Sequence, residues 1–555
     1  MNLRLTRRNF VVGAGAFVAL RAAGAEGPLW TAGIVTDTHV LRDRASCALV
    51  EKACELFAER NVDLFVNCGD IANTYTPEIY PVLKELTDAA FPSKPPRKIW
   101  VFANHDHINR LDEPFETVMA DVRRLLGATN GLHDVIDFKG YPLVVLPQHW
   151  DVRKVTAMLS ETAAKYPGKP IFVFDHIPSR GTTDDSTHWG TDGRRKMFAK
   201  YPQVIQISGH AHSSLRSELN VWQGEFTAVS VGCLEKWQGE AVGIPPEGKP
   251  NYGAVVMEVY PDRVVFRRFD VRTKVEYGAD APWTIPLPFV AATAPYRRER
   301  TQQAEPVPEF PSGAKLTLSA DTPFAALSLA FPRAEGPHGT YVYKVQVVTP
   351  EGEQMMRGDL FGQFYLPETE RSPVVVRKLS AGYFDPGARC RVRITPCNCF
   401  GRGGRPIESD FTVPERSGKI LLDSRDPGAE FPFRTGLEGG ELVRREGDWF
   451  LLGDGNYRLE LPPAVWSGPK GTRFRFILDM ESEQPGAKNY SIVLRNPKPV
   501  QNAAARVYTP FGSSGRMRYV IDFAKPCAES RYDLLIREGT SGKVKFCRLR
   551  LEKPE

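Results

Sequence analysis

Five short polar clusters, each standing at the end of an apolar run, constrain this chain more than anything else in it. Ala32-Gly33-Ile34-Val35 leads to Asp37-Thr38-His39, and Asp63-Leu64-Phe65-Val66-Asn67 leads to Gly69-Asp70. The run Lys98-Ile99-Trp100-Val101-Phe102-Ala103 ends on Asn104-His105-Asp106. Pro170-Ile171-Phe172-Val173-Phe174 ends on Asp175-His176, and Val204-Ile205-Gln206-Ile207 ends on Gly209-His210-Ala211-His212. Short apolar runs bounded in this way read as buried strands. Helical periodicity lies between them, at Arg44–Arg60, Pro77–Ala90, Pro114–Leu126 and Val152–Lys165. In the first of these, Leu49, Ala53 and Leu56 join Val50, Cys54 and Phe57 on one apolar stripe. Further strands are expected near Val135–Phe138 and Pro142–Pro147, and a closing hairpin at Ala254–Tyr260 and Arg263–Asp270, turned at Pro261-Asp262. Strand and helix in alternation predict a layered α/β fold. In such sheets, sites are built at the carboxyl ends of strands, where all five clusters fall.

The residue types define a chemistry. Asp37, His39, Asp70, Asn104, His176, His210 and His212 offer carboxylate, carboxamide and imidazole donors. That mixed set suits Mn, Fe or Zn better than thiolate-seeking metals. Seven protein ligands exceed what one catalytic ion with an open position accepts. They match two divalent ions sharing a bridging carboxylate. Such a pair, roughly 3.5–4 Å apart, clamps a phosphoryl group and makes hydroxide available at neutral pH. Taken singly, each motif is weak, since a histidine on a loop is more often solvated or capping than ligating.

In this order, Asp-x-His, Gly-Asp, Asn-His-Asp, a lone His after a strand and Gly-His-x-His resemble the calcineurin-like metallophosphoesterases. The resemblance covers residues 28–272 and implies a layered β-sandwich flanked by helices. It implies one metal on Asp37, His39 and His212, another on Asn104, His176 and His210, and Asp70 bridging them. His105 would then stabilise the transition state or protonate the leaving oxygen, oriented by Asp106. Two departures stand out. Ala103 replaces the glycine usual before the Asn-His pair, and its methyl is expected to shift the backbone. Asn73 stands where the purple acid phosphatase branch has tyrosine, with Tyr75 out of register, so no ferric tyrosinate centre is expected. The family hydrolyses phosphomonoesters, phosphodiesters and pyrophosphates with the same metals, so the expected partner is a small phosphorylated substrate. Loops around His107, Trp150 and Trp189 would select it, although ordinary packing is the better reading of the two tryptophans. The rival readings are a nuclease and a glycan- or wall-associated binding protein with a degenerate hydrolase domain.

The rest of the chain supplies context. Thr6-Arg7-Arg8-Asn9-Phe10, the apolar run Val11–Leu20 and Ala23-Gly24-Ala25 resemble a twin-arginine signal, giving residues 1–25 as a removable export segment. The expected location is the periplasm or exterior of a bacterium, with no membrane in the mature form; an uncleaved N-terminal anchor is the alternative. Removing Arg4, Arg7, Arg8 and Arg21 from the 72 basic residues leaves 68 against 66 acidic, or +2. A near-neutral balance gives no case for nucleic-acid binding. At 555 residues the chain exceeds one core. We divide it into the α/β domain at 28–272, a linker at 273–315, and two all-β sandwiches. The first, 316–414, resembles fibronectin type III modules through Phe384-Asp385-Pro386-Gly387 before Arg391-Val392-Arg393-Ile394. The second, 417–555, reads as jelly-roll-like, and analogy with exported bacterial enzymes points it toward carbohydrate, with Trp449 and Trp466 as stacking candidates. Among nine cysteines, Cys47, Cys54, Cys68 and Cys233 read as buried thiols. Cys390, Cys397, Cys399, Cys527 and Cys547 leave room for one or two disulfides.

Overall fold

The computed structural model describes residues 27–234 and 252–320 without a break, and residues 326–554 with interruptions. The expected export segment at 1–25 lies outside the described residues. Strands β1 (Trp30–Val35), β2 (Leu64–Asn67) and β3 (Arg97–Trp100) pair in parallel. A hairpin of β4 (Asp134–Phe138) and β5 (Tyr141–Val145) then opens a second sheet. It continues in parallel through β6 (Ile171–Phe174) and β7 (Val204–Ser208). The short strands β8 (Val221–Gln223) and β9 (Thr227–Ser230) complete it, in the order β4-β5-β6-β7-β9-β8. The chain returns to the first sheet with β10 (Gly253–Val259), antiparallel to β1, then β11 (Arg263–Asp270) across the expected hairpin.

Alternation along these strands sorts side chains into three apolar layers. Ala32, Ile34, Leu64, Val66 and Ile99 from one sheet meet Leu143, Val145, Phe172, Phe174 and Ile207 from the other, forming the core between the sheets. On the outer face of the first sheet, Phe65 and Trp100 pack beneath α1 (Ala48–Glu59), α2 (Ile79–Ala89) and α3 (Phe115–Leu126). On the outer face of the second, Val144, Ile171 and Val173 pack beneath α4 (Val152–Lys165). Helix, sheet, sheet, helix is the resulting order.

The expected linker differs in detail. β12 (Val275–Tyr277) and β13 (Trp283–Pro286) both pair with β11. Trp283 and Ile285 are fully enclosed in the core between the sheets. Their alternation is only two apolar positions long and sits among prolines, so composition hid it. Within the rest of the segment, residues Arg298–Ala304 form a helix.

Beyond the linker the described structure is all β. A three-stranded and a four-stranded sheet enclose Leu329, Phe331, Tyr343, Val345, Val375, Val392 and Ile394. A six-stranded and a five-stranded sheet come next. Trp466 is only 2% exposed, enclosed by Phe474, Phe523 and Tyr532, so it offers no face to a sugar. The side chain of Trp449 lies outside the described residues. Cys47, Cys54, Cys68 and Cys399 are free thiols, and Cys233, Cys390 and Cys397 are buried. Among the described residues no helix is long and apolar enough to cross a membrane.

Candidate metal centre

The backbone ladders of β1 and β2 run on past the strand ends and fix the first two clusters against each other. Asp37 donates its N–H to Gly69 (2.9 Å), His39 to Asp70 (3.1 Å) and Val40 to Ile71 (3.1 Å). Gly209 likewise bonds to the carbonyl of His176 (3.0 Å). To turn side chains inward at such close range, the backbone enters the left-handed region at five of the seven candidate ligands. The φ angles are +50° at Asp37, +42° at His39, +52° at Asp70, +68° at His210 and +49° at His212. Each such residue costs on the order of 1–3 kcal/mol and persists only where the surroundings over-determine it.

Two glycines are required by the same crowding. A β-carbon at Gly69, whose φ is +103°, would lie 2.6 Å from Nδ1 of His176. One at Gly209 would lie 2.3 Å from Oδ2 of Asp37.

The side chains converge in two groups that share Asp70. Ligand atoms of Asp37, His39, Asp70 and His212 all lie within 4.8 Å of one another, and so do those of Asp70, His176 and His210. In the first, His212 Nε2 is 2.8 Å from Asp37 Oδ1 and 3.1 Å from His39 Nε2. In the second, His176 Nε2 is 3.2 Å from Asp70 Oδ2 and 3.1 Å from His210 Nδ1. The outer oxygens are committed elsewhere. Asp37 Oδ2 accepts from Thr36 Oγ1 (2.7 Å) and the His210 N–H (2.9 Å), and Asp70 Oδ1 accepts from the His105 N–H (3.1 Å). Oδ1 of Asp37 and Oδ2 of Asp70 therefore face the histidines. His176 donates Nδ1–H to the carbonyl of Cys68 (2.9 Å), which fixes the tautomer and leaves Nε2 as the donor atom.

Asn104 is adjacent in the chain to the residue that bonds Asp70. Its N–H donates to Gln148 Oε1 (2.8 Å), while its buried carboxamide oxygen has no hydrogen-bond partner. A buried acceptor without a partner calls for a cation or water. The donor set, the shared carboxylate and this acceptor fit a pair of divalent ions.

Electrostatics keep most of the donors in ligating form. Burial would raise the carboxyl of Asp37, but His212 and His176 hold it below the usual range. Asp70 is likewise held low against its burial, chiefly by His176. Burial pushes His39 and His210 down to about 3, so both rings are neutral. His176 is the exception: burial opposes its charge, yet Asp70 and Asp37 raise it to about 9.

One expected role is not what the structure shows. Asp106 does not orient His105. Its carboxylate accepts from the backbone N–H groups of Ala72 (3.1 Å) and Ala103 (3.2 Å), tying the second cluster to the third. The His105 ring is oriented instead by the carbonyl of Asn73, 2.7 Å from Nδ1. Burial and the neighbouring Asp70 push Asp106 up to about 7. Ala103 itself stays outside the left-handed region, and its methyl faces Gly69.

A supporting network carried no recognisable signal. Arg194 pairs with buried Asp175 through Nε (2.6 Å) and NH2 (3.0 Å), and NH2 also donates to the carbonyl of Gln148 (2.9 Å). It thereby braces the neighbours of both His176 and Asn104. Asp175 could have been suspected from its place in the fourth cluster; nothing local marks Arg194 or Gln148. Trp150 lies under Arg194, its ring 5.3 Å from the guanidinium, and packs on the outer core. Trp189 instead meets the ring of His210 edge to face, at 5.3 Å. His107 is held by the carbonyl of Glu113 (2.9 Å) and contacts Phe115, which also contacts His149.

Residues 31–214 match the family model described as calcineurin-like phosphoesterase. The chain therefore carries a domain of that family, with sheets flanked by helices and several all-β sheets beyond it. Among solved structures, a dimetal phosphatase from Danio rerio aligns with 47% of this chain and 100% of its own, at 12% identity and a TM-score of 0.30. No curated protein matches the chain.

Proposed function

We propose that the chain is an exported phosphoesterase that hydrolyses a small phosphomonoester or phosphodiester with two divalent ions, Mn, Fe or Zn. The observation that carries this reading is the pair of donor groups sharing Asp70. Asp37, His39 and His212 would hold one ion and Asn104, His176 and His210 the other, with Asp70 shared between them. When bound, the ions supply charge for the phosphoryl oxygens and an acidified water.

The protein's own residues do the rest. Cys68 and Asn73 fix ring tautomers through their carbonyls. With Nδ1–H of His105 committed to Asn73, Nε2 is the atom that exchanges a proton or donates to a reacting oxygen. It lies 4.0 Å from Asp70 Oδ2 on a ring that is 24% exposed, so a substrate can reach it. Near-neutral charge disfavours a nuclease. The test is turnover of p-nitrophenyl phosphate and its bis ester by the full chain after loading with Mn, Fe or Zn. Turnover of either is expected; none with any metal contradicts the enzyme reading.

A further inference from the structure

The loop from Ile177 to Thr191 leaves candidate ligand His176 and returns Trp189 to the ring of candidate ligand His210. Its middle is not supported by the α/β domain alone. Asp184, 7% exposed, accepts a hydrogen bond of 2.8 Å from the hydroxyl of Tyr341, a residue of the first all-β module. The same carboxylate lies against Ser217, on the loop after His212. Arg298, from the helix between the domains, donates to the carbonyl of Thr182. Asp185, next in the chain, has φ +54° and starts the single helical turn Ser186–Trp189. A strained residue beside a buried carboxylate needs an outside anchor. Tyr341 is itself anchored: its N–H bonds to the carbonyl of Cys397 (2.9 Å), and its ring packs on Phe364 at 4.5 Å.

We infer that Tyr341, outside the phosphoesterase domain, is a positioning residue of the metal centre: by holding Asp184 it sets the Ile177–Thr191 loop and, through Trp189, the wall beside His210. The all-β module is then a structural part of the site. For its kinetic consequence the inference rests on the phosphoesterase reading; the tether itself does not.

The test uses the full chain with Tyr341→Phe, which removes one hydroxyl. Tyr343→Phe is the control. Tyr343 lies in the core of the same module and accepts a hydrogen bond from the Ala334 N–H (3.1 Å), so its loss loosens the module without touching the loop. The first readout is hydrogen exchange at the amides of Trp189 and Gly190, bonded to the carbonyls of Asp185 and Ser186. Exchange is expected to quicken about tenfold or more in Tyr341→Phe and to change little in Tyr343→Phe. The second readout is kinetic: KM for p-nitrophenyl phosphate rises at least about threefold, with kcat within about twofold. Unchanged exchange, equal acceleration in the control, or quickened exchange with KM unmoved in an active chain would each overturn the inference. An inactive wild-type chain that still shows the exchange difference contradicts the phosphoesterase reading and leaves the tether standing.

Discussion

At the scale of single residues, the site separates groups that hold metals from groups that hold the holders. The ring of His105 belongs to neither. Its backbone N–H anchors Asp70, its Nδ1 is spent on Asn73, and Nε2 remains for chemistry. His105→Ala should therefore lower kcat by roughly a hundred- to ten-thousand-fold, the range for loss of a general acid or base. Bound metal should stay at the wild-type level, read by elemental analysis of the purified variant; a matching loss of metal would make His105 a ligand instead. Asp106, adjacent in sequence, does a different job. It is a strut between loops, accepting from the backbone N–H groups of Ala72 and Ala103. Adjacency suggested an Asp-His pair; the direction of the side chains, which a sequence does not encode locally, sent the carboxylate to the backbone.

At the scale of elements, the site is a property of strand ends. Five donors sit on left-handed backbone: Asp37 and His39 on one loop, Asp70 on a second, His210 and His212 on a third. The main strands, the four long helices and the polar clusters at strand ends were legible because apolar runs and their terminating clusters repeat the same grammar five times. Arg194 was not, because it reaches Asp175 from a helix 19 residues away in sequence. The strands at 275–277 and 283–286 were hidden for want of length. Ala103 is the pattern departure nearest the site. With φ outside the left-handed region and its methyl against Gly69, it gains nothing from becoming glycine. Ala103→Gly should lower stability by about 0.5–1 kcal/mol through added backbone freedom, with kcat within about twofold. Chemical denaturation beside a rate measurement checks this, and a large gain in rate would show that the methyl does restrain the site.

At the scale of the whole molecule, the phosphoesterase domain is continuous with the β modules after it. The contact of Asp184 with Tyr341 joins it to the first all-β module, and Asp385 reaches Arg518 and Arg548 at 3.4 Å to join that module to the last sheets. On the proposed reading of residues 1–25 as a twin-arginine signal, such an assembly would be exported already folded. Arg7→Lys with Arg8→Lys should leave the uncleaved chain in the cytoplasm, read by fractionation and N-terminal sequencing; export of the double variant would contradict the twin-arginine assignment. The central claim concerns two ions on one carboxylate. Its most direct test is the metal content of the purified chain with and without Asp70→Asn, alongside turnover. The account predicts two ions per wild-type chain, and loss of both metal occupancy and rate in the variant. An Asp70→Asn chain that keeps two ions and its rate would contradict it.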